Sequence, residues 1–148
     1  MRVCWATRDI DAPADIVWRL LVDTDVWPVW GPSVTAVTLR DDELRLGSTG
    51  TVGTAIGLQV PFEITAFVPG HSWSWSIAGI AATDHRVESL GDGRCRAAFG
   101  APWLALPYLA VCRRALVRLD ELAVDALQKT EVARRFITEP ASDHLTVN

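Results

Sequence analysis

The sequence predicts one α+β domain in which a curved antiparallel β-sheet of about seven strands wraps around a long C-terminal helix, with two short helices after strand 1. Three observations carry this. Turn signals at Gly57, Pro69-Gly70, Gly79 and Gly91-Asp92-Gly93 cut the middle of the chain into runs of strand length. The run from 71 to 77 alternates, with His71, Trp73, Trp75 and Ile77 on one side and Ser72, Ser74 and Ser76 on the other, so one face is dry and one wet. After Pro102 the period turns helical: Leu109, Cys112, Leu116, Leu119, Ala123 and Ala126 step by three or four residues.

Residues 2–11 form a β-compatible run that stops at Ala12-Pro13. Pro13 suits the opening of a helix, where its missing N–H would have no partner anyway, and Asp15 favours the positive helix end. Ile16, Val17, Leu20 and Leu21 then make a buried stripe up to about Val22. Asp23 or Thr24 is the expected cap of a second, short helix that puts Trp27 and Trp30 on one face, and Gly31-Pro32 ends it. Val34, Thr35, Val37 and Thr38 open a strand that runs out into the charged loop 41–43. In the meander from Thr49, Leu58, Val60, Phe62, Ile64 and Val68 are expected to share a face. In the last strand Cys95, Ala97 and Phe99 do so against Arg94 and Arg96. The long helix is expected from about Leu104 or Tyr108 to about Lys129, with Arg113, Arg114, Arg118, Asp120 and Glu121 on its wet side. Residues 1–129 are thus the domain, and 130–148, charged and without a sustained period, a flexible tail.

Composition narrows the functional classes. At 148 residues and 49% hydrophobic content the chain can bury a substantial core. Eighteen acidic against 14 basic side chains leave a net charge of -4, so no positive field attracts phosphate backbones or an anionic bilayer, and nucleic acid is not expected as a partner. Cys4, Cys95 and Cys112 are odd in number, far apart and lack CxxC spacing, which points to free thiols in a reducing cytosol; with no His, Cys and carboxylate cluster at ligand spacing and no P-loop or dinucleotide signature, no metal or other cofactor is expected. Arg2, Asp9 and Asp11 interrupt any signal-peptide core, and the run 97–112 is too short and too broken by Gly100, Pro102 and Pro107 for a transmembrane segment. A cytoplasmic monomer or homodimer is expected.

The order of elements, together with Ile10, Ala12-Pro13 and Val17-Trp18, Trp27-Pro28 and Trp30 before Pro32, Pro69-Gly70 followed by Trp73 and Trp75, and His85 before Gly91-Asp92-Gly93, resembles the START-like superfamily, also called SRPBCC. Within it the chain is similar to the polyketide cyclase/dehydrase-like branch, over about residues 2–127. The resemblance implies a helix-grip (START/Bet v 1-like) fold with a deep pocket between sheet and C-terminal helix. Across the family that pocket holds lipids, sterols, plant hormones, polyketides and other hydrophobic compounds. Some relatives are cyclases or aromatases, others carry or sense ligands, and no shared catalytic triad transfers. By the same analogy Trp27, Trp30 and Tyr108 would flank the pocket mouth.

Seven tryptophans is a high count for this length, and each ring is costly to expose. Two readings stand for Phe62, Trp73, Trp75, Phe99 and Trp103: an aromatic wall for a flat or polycyclic ligand, or packing beneath the helix. In the first, Leu109, Cys112 and Leu116 face the same space from the helix. His85, with Thr83 and Val87 on its side of a strand, could serve as a general acid or base, although no carboxylate partner is assignable and a structural histidine is the commoner role. Arg8 is better read as a surface residue than as an inward anchor. Cys112 reads as a small hydrophobe on the buried stripe, and Asp11, Asp15, Asp23 and Asp25 read as helix-start residues rather than a metal site.

The leading functional expectation is therefore binding of an apolar small molecule of lipid, polyketide or polycyclic aromatic type. The alternative is a cyclase, aromatase or dehydratase using the same pocket. A third class is a partner-binding module that docks through exposed aromatics near Trp27 and Trp30.

Overall fold

The computed structural model describes residues 2–138. Strand β1 (Val3–Ile10) leads to helices α1 (Ala14–Val22) and α2 (Trp27–Trp30). Six strands follow: β2 (Val34–Leu39), β3 (Thr49–Thr54), β4 (Gln59–Val68), β5 (Ser72–Ile77), β6 (Ile80–Gly91) and β7 (Arg94–Pro102). A 3₁₀ segment, Trp103–Tyr108, feeds the long helix α3 (Leu109–Thr138). The strands make one antiparallel sheet in the order β1-β7-β6-β5-β4-β3-β2, and α3 lies against β1 and β7 while touching α1 and α2. This is the α+β helix-grip layout that the sequence predicts.

Alternation decides which side chains enter the core. Trp73 and Trp75 of β5, Val87 of β6, and Cys95, Ala97 and Phe99 of β7 all face inward, while Arg94 and Arg96 face solvent and pair with Asp11, just past β1, and with Asp9 near its end. Leu109, Cys112, Ala115, Leu116, Leu119 and Ala123 of α3 meet them from the other side. Arg8 lies outside, where its Nε donates to Asp120 on α3 at 2.7 Å.

Four expectations need correction. The expected face of β4 breaks because its pairing with β5 shifts between Ile64 and Ala66: the bulge brings Phe67 inward against Trp18 and turns Val68 out to solvent. Leu58 is also exposed, since it belongs to the turn before β4. The second short helix has no side-chain cap; Asp23 Oδ1 instead accepts from the Asp25 amide, and Val26 is the N-cap residue. Helix α3 runs nine residues beyond Lys129 to Thr138, because Ala133, Arg134 and Arg135 are good helix formers even where no apolar stripe remains. The rest of the expected tail, 139–148, lies outside the described residues.

The β5–β6 connection is Ala78–Gly79, and Ile77 pairs with Ile80 across it. Both central residues have positive φ, 51° and 79°, the combination a two-residue hairpin of matching twist requires.

Candidate ligand cavity

Helix α1 ends with carbonyls that no further turn can satisfy. The chain answers with indoles: Trp27 Nε1 donates to Leu21 O at 2.9 Å and Trp30 Nε1 to Leu20 O at 3.1 Å. These two bonds turn the face of α2 inward. Trp27 is 1% exposed, stacks on Trp73 at 4.9 Å and 11°, and meets Trp75 and Phe62 edge-on or tilted at 5.4 and 5.9 Å. Trp30 packs on Phe99 at 5.4 Å. The register pairs Trp73 with His85 and His85 with Phe99, and the His85 ring stacks on Trp73 at 3.8 Å. A continuous sandwich of Trp27, Trp73 and His85 therefore occupies the middle of the interior.

Consequently the space beneath Cys112 is small. Between this aromatic cluster and α3 remains about 30 Å³, room for one water, lined by Trp27, Trp30, Trp73, Trp75, Thr83, His85, Phe99, Tyr108 and Cys112 among others. A far larger cavity, about 450 Å³, opens beside it. Ser33 and Val34 follow α2 into its wall, Val52, Thr54, Ala55 and Ile56 come from β3 and its turn, Val60 from β4, Ile77, Ala81 and Ala82 from β5 and β6, and Ala101, Pro102 and Ala105 from β7 and the 3₁₀ segment. Trp75, Thr83, Ser33, Val34 and Tyr108 line both spaces and form the partition between them.

The partition carries the polar chemistry. Trp75 Nε1 donates to Thr83 Oγ1 at 2.9 Å, Thr83 Oγ1 lies 3.3 Å from His85 Nε2, and the hydroxyls of Ser33 and Tyr108 share a hydrogen bond of 2.6 Å. His85 is only 4% exposed, and desolvation pulls its pKa down to about 3, the nearby Trp73 backbone opposing this only weakly. Its Nδ1 and the Trp73 Nε1 have no partner among the described residues. Burial pushes the Cys112 thiol up to about 11 and raises Tyr108, against the opposing hydrogen bond from Ser33. At neutral pH the imidazole, thiol and phenol are thus all uncharged. Among the described residues no group of three or more His, Cys, Asp and Glu is placed to hold a metal ion.

The structure distributes the expected site residues unevenly. Trp27, Trp30, Trp73, Trp75, His85, Phe99, Tyr108 and Cys112 are brought together around the small chamber. Phe62 lies behind them against Trp27 and Trp75, and Leu109 and Leu116 are core residues that line neither space. Trp103 is not part of the wall: it is 53% exposed, in a surface hollow with Arg2, Val3 and Cys4, because the 3₁₀ segment turns it away from the sheet. Trp27 and Trp30 are not exposed docking aromatics either, since the α1 carbonyls hold them inside. The large cavity lies outside the site that the sequence predicts. Its signal is the change from bulky to small residues along single strand faces, from Val87 and His85 to Thr83 and Ala81 on β6 and from Phe99 to Ala101 on β7.

The architecture is a long helix gripped by a curved antiparallel sheet, with an apolar cavity at the open end. The chain belongs to the polyketide cyclase/dehydrase and lipid transport family, whose model matches residues 3–130. Solved structures share the fold. A Mycobacterium smegmatis protein is similar at 23% identity and a TM-score of 0.58, over 84% of this chain and 92% of its own. XoxI from Bacillus cereus matches at 14% identity and a TM-score of 0.67, over 85% and 98%. A Nitrosomonas europaea protein matches at 15% and 0.60, over 85% and 96%. None of the curated proteins compared with this chain matches it.

Proposed function

We propose that this protein binds an apolar small molecule in the 450 Å³ cavity, with any polar end of the ligand directed at Ser33, Thr83 and Tyr108. One observation carries the reading: the cavity wall is built of alanine, valine, isoleucine, proline and the Trp75 ring with the hydroxyls of Ser33, Thr54, Thr83 and Tyr108, and among the described residues it contains no Asp, Glu, Lys, Arg or His. Its volume falls in the range of roughly 300–1,000 Å³ that suits small organic ligands. Binding gains about 25 cal/mol per Å² of apolar surface buried, before ordering costs, so affinity should climb with ligand apolar area until the cavity is full. Titrating sterols, fatty acids and polycyclic phenols while following tryptophan emission and heat tests this, since Trp75 lies in the wall. A panel that changes neither emission nor heat refutes it.

A second reading, ring closure or dehydration of a polyketide-like substrate, draws on the family and on the paired hydroxyls of Ser33 and Tyr108. A neutral Tyr108 could donate to a ligand carbonyl there. Turnover lost in Tyr108→Phe with affinity retained would favour the enzyme, and an equal effect on both the binder.

A further inference from the structure

The polar side chains in the wall of the large cavity are the Trp75 indole and the hydroxyls of Ser33, Thr54, Thr83 and Tyr108, and their hydrogens can be followed one at a time. Thr54 is spent at the β3–β4 turn, where it donates to Leu58 O at 3.1 Å and accepts from the Leu58 amide at 3.2 Å. The Trp75 N–H is spent on Thr83. Ser33 and Tyr108 bring two hydrogens to one mutual bond of 2.6 Å, so whichever donates, one hydrogen is left over. Thr83 depends on the ring of His85. With the ring proton on Nδ1, Nε2 accepts from Thr83 and the hydroxyl hydrogen is spent. With the proton on Nε2, Thr83 Oγ1 accepts from both Trp75 and His85 and keeps its own hydrogen free. Burial decides between the two. Nδ1 is enclosed, has no partner among the described residues, and is not met at bonding geometry by the Trp73 backbone beside it. A proton there would be an unpaired buried donor that neither water nor ligand reaches, added to the one already present at Trp73 Nε1. A bare lone pair in the same place costs less, because buried acceptors go unpaired more readily than buried N–H groups. The proton therefore belongs on Nε2, and the Thr83 hydrogen is left for the spaces that Thr83 lines.

We propose that the large cavity selects uncharged molecules bearing an acceptor oxygen, to which Thr83 and the Ser33–Tyr108 pair offer their unspent hydrogens, with His85 as the positioning residue that frees Thr83 to donate. The inference rests on the cavity reading and narrows it to a chemical class. A hydrocarbon fills the space but leaves the hydrogens unpaired, and a buried donor without a partner is costly. A carboxylate would accept them, yet among the described residues no Lys, Arg or His lines this wall to balance its charge, and an unbalanced buried charge costs more than two hydrogen bonds return. A ketone, ester or ether accepts and brings neither a charge nor a donor of its own.

Fluorenone, fluorene and fluorene-9-carboxylate share one ring skeleton and separate these cases. Titrated calorimetrically into the full chain at neutral pH, fluorenone should bind about tenfold more tightly than fluorene, the worth of one net hydrogen bond. The carboxylate should bind at least about tenfold more weakly than fluorenone. In the background Ser33→Ala with Tyr108→Phe, Thr83→Ser keeps a hydroxyl and should keep the preference for fluorenone, whereas Thr83→Val should abolish it. Long-range proton–nitrogen NMR spectra of the wild type read His85 directly, and the protonated ring nitrogen should be Nε2 with and without fluorenone. Fluorene bound as tightly as fluorenone, a carboxylate that matches fluorenone, or a ring proton on Nδ1 overturns the inference and leaves the cavity reading standing. Absence of binding by both fluorene and fluorenone removes the cavity reading and this inference with it. Should the Thr83→Val variant fail to fold, the ligand series and the His85 spectra of the wild type still decide.

Discussion

Removing the Trp27 side chain attacks the feature that separates a solid interior from an open one. Its indole is 1% exposed, stacked on Trp73, bordered by Phe62, Trp75 and Trp30, and bonded to Leu21 O. A buried tryptophan removes about 150–250 Å² from water, which at about 25 cal/mol per Å² is about 4–6 kcal/mol. Partial collapse of the neighbours returns some of this, while the Leu21 carbonyl loses a partner, so Trp27→Ala should cost about 3–5 kcal/mol. Urea unfolding followed by far-ultraviolet circular dichroism measures the loss, which should appear as a lower midpoint at constant m. The substitution also enlarges a chamber that now holds about 30 Å³. Free indole should re-enter it and restore about 1.4 kcal/mol at ten times its Kd, without stabilising the wild type. A loss below about 1 kcal/mol, or equal stabilisation of both proteins by indole, would refute the claim that Trp27 plugs the interior.

Two substitutions to tryptophan distinguish the two spaces. Cys112→Trp forces bulk into the small chamber and should cost more than about 3 kcal/mol or prevent folding, whereas Ala82→Trp, at the wall of the large cavity, should fold and lose ligand binding; a well-folded Cys112→Trp would contradict the packing seen here. His85 makes a pH prediction. Above about pH 6.5 it is neutral in both states and neither adds nor removes stability with pH; between about pH 6.5 and 3 the unfolded chain takes up a proton that the folded one refuses. Stability should therefore fall by about 1.4 kcal/mol per unit as pH drops through that window, and His85→Gln should remove this slope. Urea unfolding at pH 7, 5.5 and 4.5 checks it, and parallel slopes for the two proteins would contradict the burial of His85.

Much of the fold is legible in local periods. The alternation in 71–77 and the three-four stepping after Pro102 record directly which side chains leave water, and positive-φ glycines at Gly57, Gly70, Gly79 and Gly91 mark the turns. The site was legible only in part. Trp73, Trp75, His85 and Phe99 follow from strand parity, but nothing local shows that two indoles from α2 will reach back to the carbonyls ending α1. The β4 bulge likewise changes parity without a glycine or proline at the shift, so Phe67 and Val68 exchange roles unannounced.

By itself, then, the sequence determined the order of elements, the dry face of each strand and the stripe of the long helix, because those depend on neighbours two to four residues away. Tertiary structure alone decided where the empty space lies. Volume between sheet and helix is set by side chains that meet from distant segments: Trp27 fills the centre that Cys112 and Trp73 would otherwise share, and Ala81, Ala101 and Ala105, each too short to cross the gap, leave the cavity at the open end.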